Sequence, residues 1–144
     1  MTDLAQLYQA TIVDHDRHPR NPGPLAGANR TATIDNPLCG DVVTLELRVD
    51  TGVIAAAAWT GRGCALARAA ASMLTETLAD LDAAAAHARL DAFEAFVQSP
   101  PDAPTPPALG ELAAFAGVRR FPSRRACALL AVRAARACLA DPGA

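Results

Sequence analysis

Lysine is absent from this chain: all 13 basic residues are arginine. That absence excludes a Schiff-base lysine, an anchor for pyridoxal phosphate and the lysine of a Walker-type phosphate loop. An excess of charge is missing too, and a formal net charge of -2 gives no overall case for nucleic acid. No basic-then-apolar leader opens the sequence, since Asp3 stands where a leader carries basic residues. No run of about 18 apolar residues is free of charge. A cytoplasmic protein with no membrane partner is expected. In a reducing compartment, four cysteines are expected to bind metal or do catalysis rather than pair as disulfides. The paired C-x(2–4)-C spacing of a zinc finger is missing as well.

What is present starts with 144 residues, enough for one domain with its own core. Apolar residues make up 51%, much of it alanine, which predicts close helix packing. The chain is organised around Asn36-Pro37-Leu38-Cys39-Gly40-Asp41. Here a thiol and a carboxylate stand two residues apart, and Gly40 between them allows the sharp bend that would let both converge. Two further cysteines sit at helix edges, in Gly61-Arg62-Gly63-Cys64 and Arg124-Arg125-Ala126-Cys127. Cys39, Asp41, Cys64 and Cys127 together supply three thiolates and one carboxylate, the number of donors a tetrahedral zinc takes. The three segments are far apart in sequence, so such a site forms only in the folded domain.

Residues 3–17 carry apolar positions at Leu4, Leu7, Tyr8 and Ile12, which predicts an amphipathic helix with Thr2 as its cap. His18-Pro19-Arg20-Asn21-Pro22-Gly23 stops it. His15 and His18 read as solvated helix-end residues in preference to metal ligands. A short edge strand is expected at 31–35. Residues 42–49 alternate, with Val43, Leu45, Leu47 and Val49 on one face, and Asp50-Thr51-Gly52 turns the chain into a second strand from Val53 to Trp59. Gly61-Arg62-Gly63 then opens a helix at Cys64, a position where unpaired N–H groups and the dipole favour a thiolate.

Residues 82–108 are acidic and proline-rich. A short helix near 89–98 is expected, then a loop without regular structure, with His87 exposed. Leu109 to Ala116 predicts a short helix ended by Gly117. The last helix begins at Phe121-Pro122 and places Cys127, Leu130, Ala131, Ala134 and Cys138 on one face. Cys127 and Cys138 are about 16 Å apart at 1.5 Å per residue, so Cys138 falls outside any shared metal site. Arg119, Arg120, Arg124, Arg125, Arg133 and Arg136 read either as a solvated face or as a docking patch for an acidic partner. The fold class predicted is α+β, a small three-stranded antiparallel sheet with helices packed on one side.

Taken together, NPLCGD at Asn36–Asp41, GRGC at Gly61–Cys64 and FPSRRACA at Phe121–Ala128 resemble the IscU/NifU N-terminal family of iron–sulfur cluster assembly proteins. Leu7-Tyr8-Gln9, Asp14-His15 and Pro19-Arg20-Asn21 extend the resemblance over nearly the whole of 1–144. Within the family the spacing resembles the SufU branch, whose insertion would correspond to about 82–108. The resemblance implies zinc held by Cys39, Asp41, Cys64 and Cys127, with Cys39 accepting persulfide sulfur from a SufS-type cysteine desulfurase. Arg124 is implied as a supporting residue, and other cluster-assembly proteins as partners. The chain would then be a zinc-dependent sulfurtransferase; the alternative is a scaffold for a [2Fe–2S] iron–sulfur cluster. Scaffolds of the family carry a histidine before the third cysteine, where this chain has Ala126, and SufU-type chains usually carry a basic residue there.

Overall fold

Three strands form an antiparallel sheet in the order β1-β2-β3, in a computed structural model that describes residues 8–140. They are β1 (Arg30–Asn36), β2 (Asp41–Asp50) and β3 (Val53–Arg62). The central strand shows the alternation visible in its sequence. Val43, Leu45 and Leu47 are buried, while Thr44, Glu46 and Arg48 are half-buried on the opposite face. Asp41 belongs to the inward row, two residues before Val43, so a carboxylate ends the apolar stripe. Thr51 and Gly52 take φ of 50° and 81° between β2 and β3. Two left-handed residues give a turn whose twist matches that of the strands.

The edge strand expected at 31–35 is β1, paired from Arg30 opposite Leu47 to Asn36 opposite Asp41. β3 runs on past Trp59 to Arg62, opposite Val42. The loop after the first helix covers the open edge of β3. Trp59 N–H donates to Asn21 O at 3.0 Å, and Gly23 N–H donates to Trp59 O at 2.8 Å. The Trp59 indole N–H donates to Arg20 O at 2.9 Å, so this edge offers little to another chain.

The helices are α1 (Ala10–Arg17), α2 (Ala65–Leu78), α3 (Ala83–Gln98) and α4 (Pro122–Leu139), with a 3-10 segment at Pro107–Arg120. Thr2, Leu4 and Leu7 lie outside the described residues. α4 lies over β1 and β2, α2 lies against β3, and the two helices touch each other. Alanine permits the close approach: Ala67, Ala69, Ala70 and Ala71 of α2 and Ala128, Ala131, Ala134 and Ala135 of α4 are buried. Pro122 occupies the first turn of α4, where its missing N–H costs nothing.

The middle of the chain is more ordered than its sequence suggested. The helix expected near 89–98 begins at Ala83, because the Asp82 side chain caps it by accepting from Ala85 N–H at 2.8 Å. Leu90, Phe93, Phe96 and Val97 are buried, and Phe93 meets Phe115 edge-on at 5.4 Å. His87 is half-buried, not exposed. Residues 99–106 are irregular. The helix expected over Leu109–Ala116 is the 3-10 segment instead, broken at Gly110 (φ 55°, ψ -129°) and continuing through Gly117 to Arg120. Among the described residues no helix is long and apolar enough to cross a membrane.

Candidate metal centre

Asn36 and Asp41 face each other across the ladder, so residues 37–40 must close a tight loop. Asn36 holds that loop. Its carbonyl accepts from Cys39 N–H at 3.2 Å and Gly40 N–H at 2.8 Å, and its side-chain oxygen accepts from Leu38 N–H at 3.1 Å. Gly40 has φ 76°, the left-handed bend the sequence demanded of it. The loop therefore presents Leu38 (95% exposed) and Cys39 at its tip, and turns Asp41 inward at 4% exposure.

The second segment is fitted to the first by two close approaches. A Cβ on Gly61 would lie 2.2 Å from Val42 O, and one on Gly63 would lie 2.6 Å from Asp41 Oδ1. Both glycines are thus dictated by space beside β2, a role the sequence did not disclose. Cys64 is the N-cap of α2. Its N–H donates to Asp41 Oδ1 at 3.2 Å, and its Sγ lies 3.4 Å from Asp41 Oδ2. Asp41 is therefore oriented by the residue that starts the next helix.

Cys127 completes the arrangement from the second turn of α4, buried at 2% exposure. Ligand atoms of Cys39, Asp41 and Cys127 lie within 4.8 Å of one another. Cys64 contacts Asp41 and is near enough to Cys127 to act on its thiol, though it does not stand within that distance of every member. Burial pushes the Cys127 thiol far above the ordinary range, and Cys64, Cys39 and Asp41 push it further in the same direction. Crowded acidic groups of this kind repel one another when ionised. A divalent cation reverses the balance, since it holds a coordinating thiol in the deprotonated form. Three soft sulfur donors with one carboxylate oxygen fit zinc or an iron–sulfur group rather than calcium or magnesium.

Arg124 is half-buried beside this cluster, and its positive form is strengthened chiefly by the Tyr8 phenol, against desolvation, and then by a hydrogen bond with Cys127 and by Cys64. Tyr8 was legible as an apolar helix position and as part of the Leu7-Tyr8-Gln9 motif, but nothing in the sequence says that it meets Arg124. Ala126 is exposed. Cys138 is apart from the cluster: it is buried, its Sγ lies 3.5 Å from Leu45 O, and burial raises its thiol to about 11 against the pull of Arg30.

The six arginines read either as a solvated face or as a docking patch do not share one surface. Arg119 is 5% exposed and stacks on Phe96 at 4.6 Å. It donates to Pro100 O and Ala103 O of the irregular loop at 3.1 Å and to Ala116 O of its own 3-10 segment at 2.9 Å. Arg125 donates to Arg119 O, and Arg136 pairs with Asp91 at 2.9 Å and Glu94 at 2.7 Å. These three are structural. Arg120 and Arg133 are exposed. His15, read as a solvated helix end, is fully buried, because α2 and the 3-10 segment close over it.

The family described as NifU-like N terminal domain matches residues 7–128 of the chain. The iron-sulfur cluster assembly scaffold protein IscU of Streptococcus pyogenes is 35% identical over 91% of this chain and 81% of its own length. The zinc-dependent sulfurtransferase SufU of Bacillus subtilis is 34% identical over 92% of this chain and 88% of its own. Among solved structures, the N-terminal NifU-like protein of Brucella abortus superposes with a TM-score of 0.86 at 26% identity, covering 96% of this chain and 95% of that one.

Proposed function

The chain belongs to the NifU-like N-terminal domain family, the iron–sulfur cluster assembly group that includes IscU and SufU, and on that premise we propose that it is a zinc-dependent sulfur-transfer protein. It would take persulfide sulfur from a pyridoxal-phosphate cysteine desulfurase and pass it on to cluster assembly. One observation carries this reading over a purely structural centre: exposure is unequal. Cys39 rides the tip of its loop, whereas Asp41 and Cys127 are buried and Cys64 is half-buried. One donor can leave for a partner while the others stay in place.

Zinc, when bound by Cys39, Asp41, Cys64 and Cys127, supplies the positive charge that keeps these thiols ionised near neutral pH. The chain does the rest. Cys39 Sγ, as thiolate, attacks the outer sulfur of the desulfurase persulfide. A bond forms between Cys39 Sγ and that outer sulfur, the bond to the desulfurase sulfur breaks, and its electron pair leaves with the desulfurase cysteine as thiolate. One S–S bond replaces another, so no external oxidant or reductant is needed. Asp41, fixed by the Cys64 N–H, keeps its oxygen at the centre during the exchange. Arg124 offers a positive charge beside Cys64 and Cys127 and is proposed to steady anionic sulfur there.

A [2Fe–2S] scaffold is the second reading, favoured by the equal likeness to the Streptococcus IscU. Ala126 weighs against it, since an alanine offers no ligand there. The deciding experiment records metal content and persulfide transfer together, for wild type and Cys39→Ala. Colourless protein with one zinc, and transfer lost in Cys39→Ala, is expected. Brown protein with iron and acid-labile sulfide, or transfer that survives Cys39→Ala, overturns the proposal.

A further inference from the structure

A second set of ligating side chains meets well away from the thiols. His15 of α1 is fully buried. Its Nε2 is 3.1 Å from Glu111 Oε2 of the 3-10 segment and 3.9 Å from Glu76 Oε1 of α2. One ligand atom from each of the three lies within 4.8 Å of the others. Glu76 is 12 residues along α2 from Cys64, about 18 Å at 1.5 Å per residue. The thiol centre and this cluster therefore share no ligand.

We propose that His15, Glu76 and Glu111 form a separate site for one divalent transition-metal ion of the manganese-to-zinc range. The spacing suits an ion: with ligand bonds of about 2.0–2.2 Å, neighbouring donors at right-angled to tetrahedral positions stand roughly 3.0–3.5 Å apart. The observed 3.1 and 3.9 Å fall at and just beyond that window. The donor set, one imidazole with two carboxylates, is the mixture that such ions accept. His15 is already aimed. Its Nδ1 is 2.7 Å from Ser72 Oγ, which also accepts the Arg20 N–H at 2.9 Å. A hydroxyl has two lone pairs, so Ser72 can accept from both, which leaves the Nε2 lone pair facing the carboxylates.

Charge argues the same way. Two carboxylates from different elements converge on one ring nitrogen of His15. The nearby cation, Arg20, is held by Asp14 at 2.7 Å, and that bond strengthens its positive form more than Glu76 or Glu111 does. In the opposite tautomer Nε2–H donates to Glu111, and the cluster is a hydrogen-bonded strut among α1, α2 and the 3-10 segment. That state needs no ion, so binding itself decides between them.

Mn2+ is the probe, since it prefers oxygen and nitrogen donors to thiolates; the outcome is therefore independent of the sulfur-transfer proposal. Mn2+ is titrated into the chain as purified and free ion is counted by its paramagnetic resonance signal, with thermal unfolding followed in parallel. One Mn2+ per chain and a rise in Tm with Mn2+ are expected for wild type. The double variant Glu76→Gln/Glu111→Gln should bind at least tenfold more weakly and lose the Tm response. Both side chains are substantially exposed, at 44% and 55%, and glutamine keeps their shape, so the variant is expected to fold. No binding by wild type at millimolar Mn2+, or equal binding by the double variant, overturns the proposal.

Discussion

Gly63 sets the position of a carboxylate without touching any ligand chemistry. Its missing Cβ is the space that Asp41 occupies, with Oδ1, Cγ and Cβ of the aspartate 2.6 to 2.9 Å from where a methyl would sit. Gly63→Ala should displace Asp41 and weaken zinc retention about tenfold or more, the scale typical of groups that orient metal ligands. Competition with a chromophoric chelator measures it, and unchanged retention would count against Asp41 as a ligand. Cys138 gives a pH signature. Burial raises its thiol from 9.0 to about 11, so the folded chain holds that proton more firmly than the unfolded chain. The contribution is fully present below pH 9, and it is lost as the pH climbs from there through about 11, because the unfolded state releases its proton first. The urea midpoint should fall over that interval, and fall less in Cys138→Ala. His15 and Arg119 show why single residues mislead. Both look like surface groups in sequence, and both are buried by segments about a hundred or about twenty positions away.

Elements were legible where their pattern had contrast. β2 alternates apolar and polar side chains, so its inward face could be named before its neighbours were known. Pro122 marked the start of α4 for a reason local to its own backbone. α3 failed this test in part, because four alanines at 83–86 give no polar and apolar faces, and Asp82 as a cap was the available signal. The packing of α3 is testable. Phe93 is buried against Phe115, so Phe93→Ala should cost about 3–5 kcal/mol, read as a lower urea midpoint. Zinc affinity of the folded protein should stay within a few-fold, since no residue of the thiol centre lies on α3. The motifs named Cys39, Asp41 and Cys127, whose ligand atoms gather at the end of the sheet, and Cys64, which contacts Asp41. They could not show which would be exposed, because that depends on how the loop at 37–40 closes and on α4 docking behind it.

At the scale of the molecule, the candidate centre ties the β1–β2 loop to the starts of α2 and α4. Stripping the metal should lower Tm by several degrees and raise amide exchange first at Cys39–Asp41, Cys64 and Cys127, with Phe93 and Phe115 keeping their protection. Uniform loosening across the chain would contradict that order. The wide separation of these parts along the chain also bears on biosynthesis. While ribosomes are still extending the polypeptide, Cys39, Asp41 and Cys64 emerge first, and the buried thiol of Cys127 follows well after them. A nascent chain is therefore a poor thief of cellular zinc, and a full grip on the ion becomes possible only once Cys127 has emerged and α4 has docked.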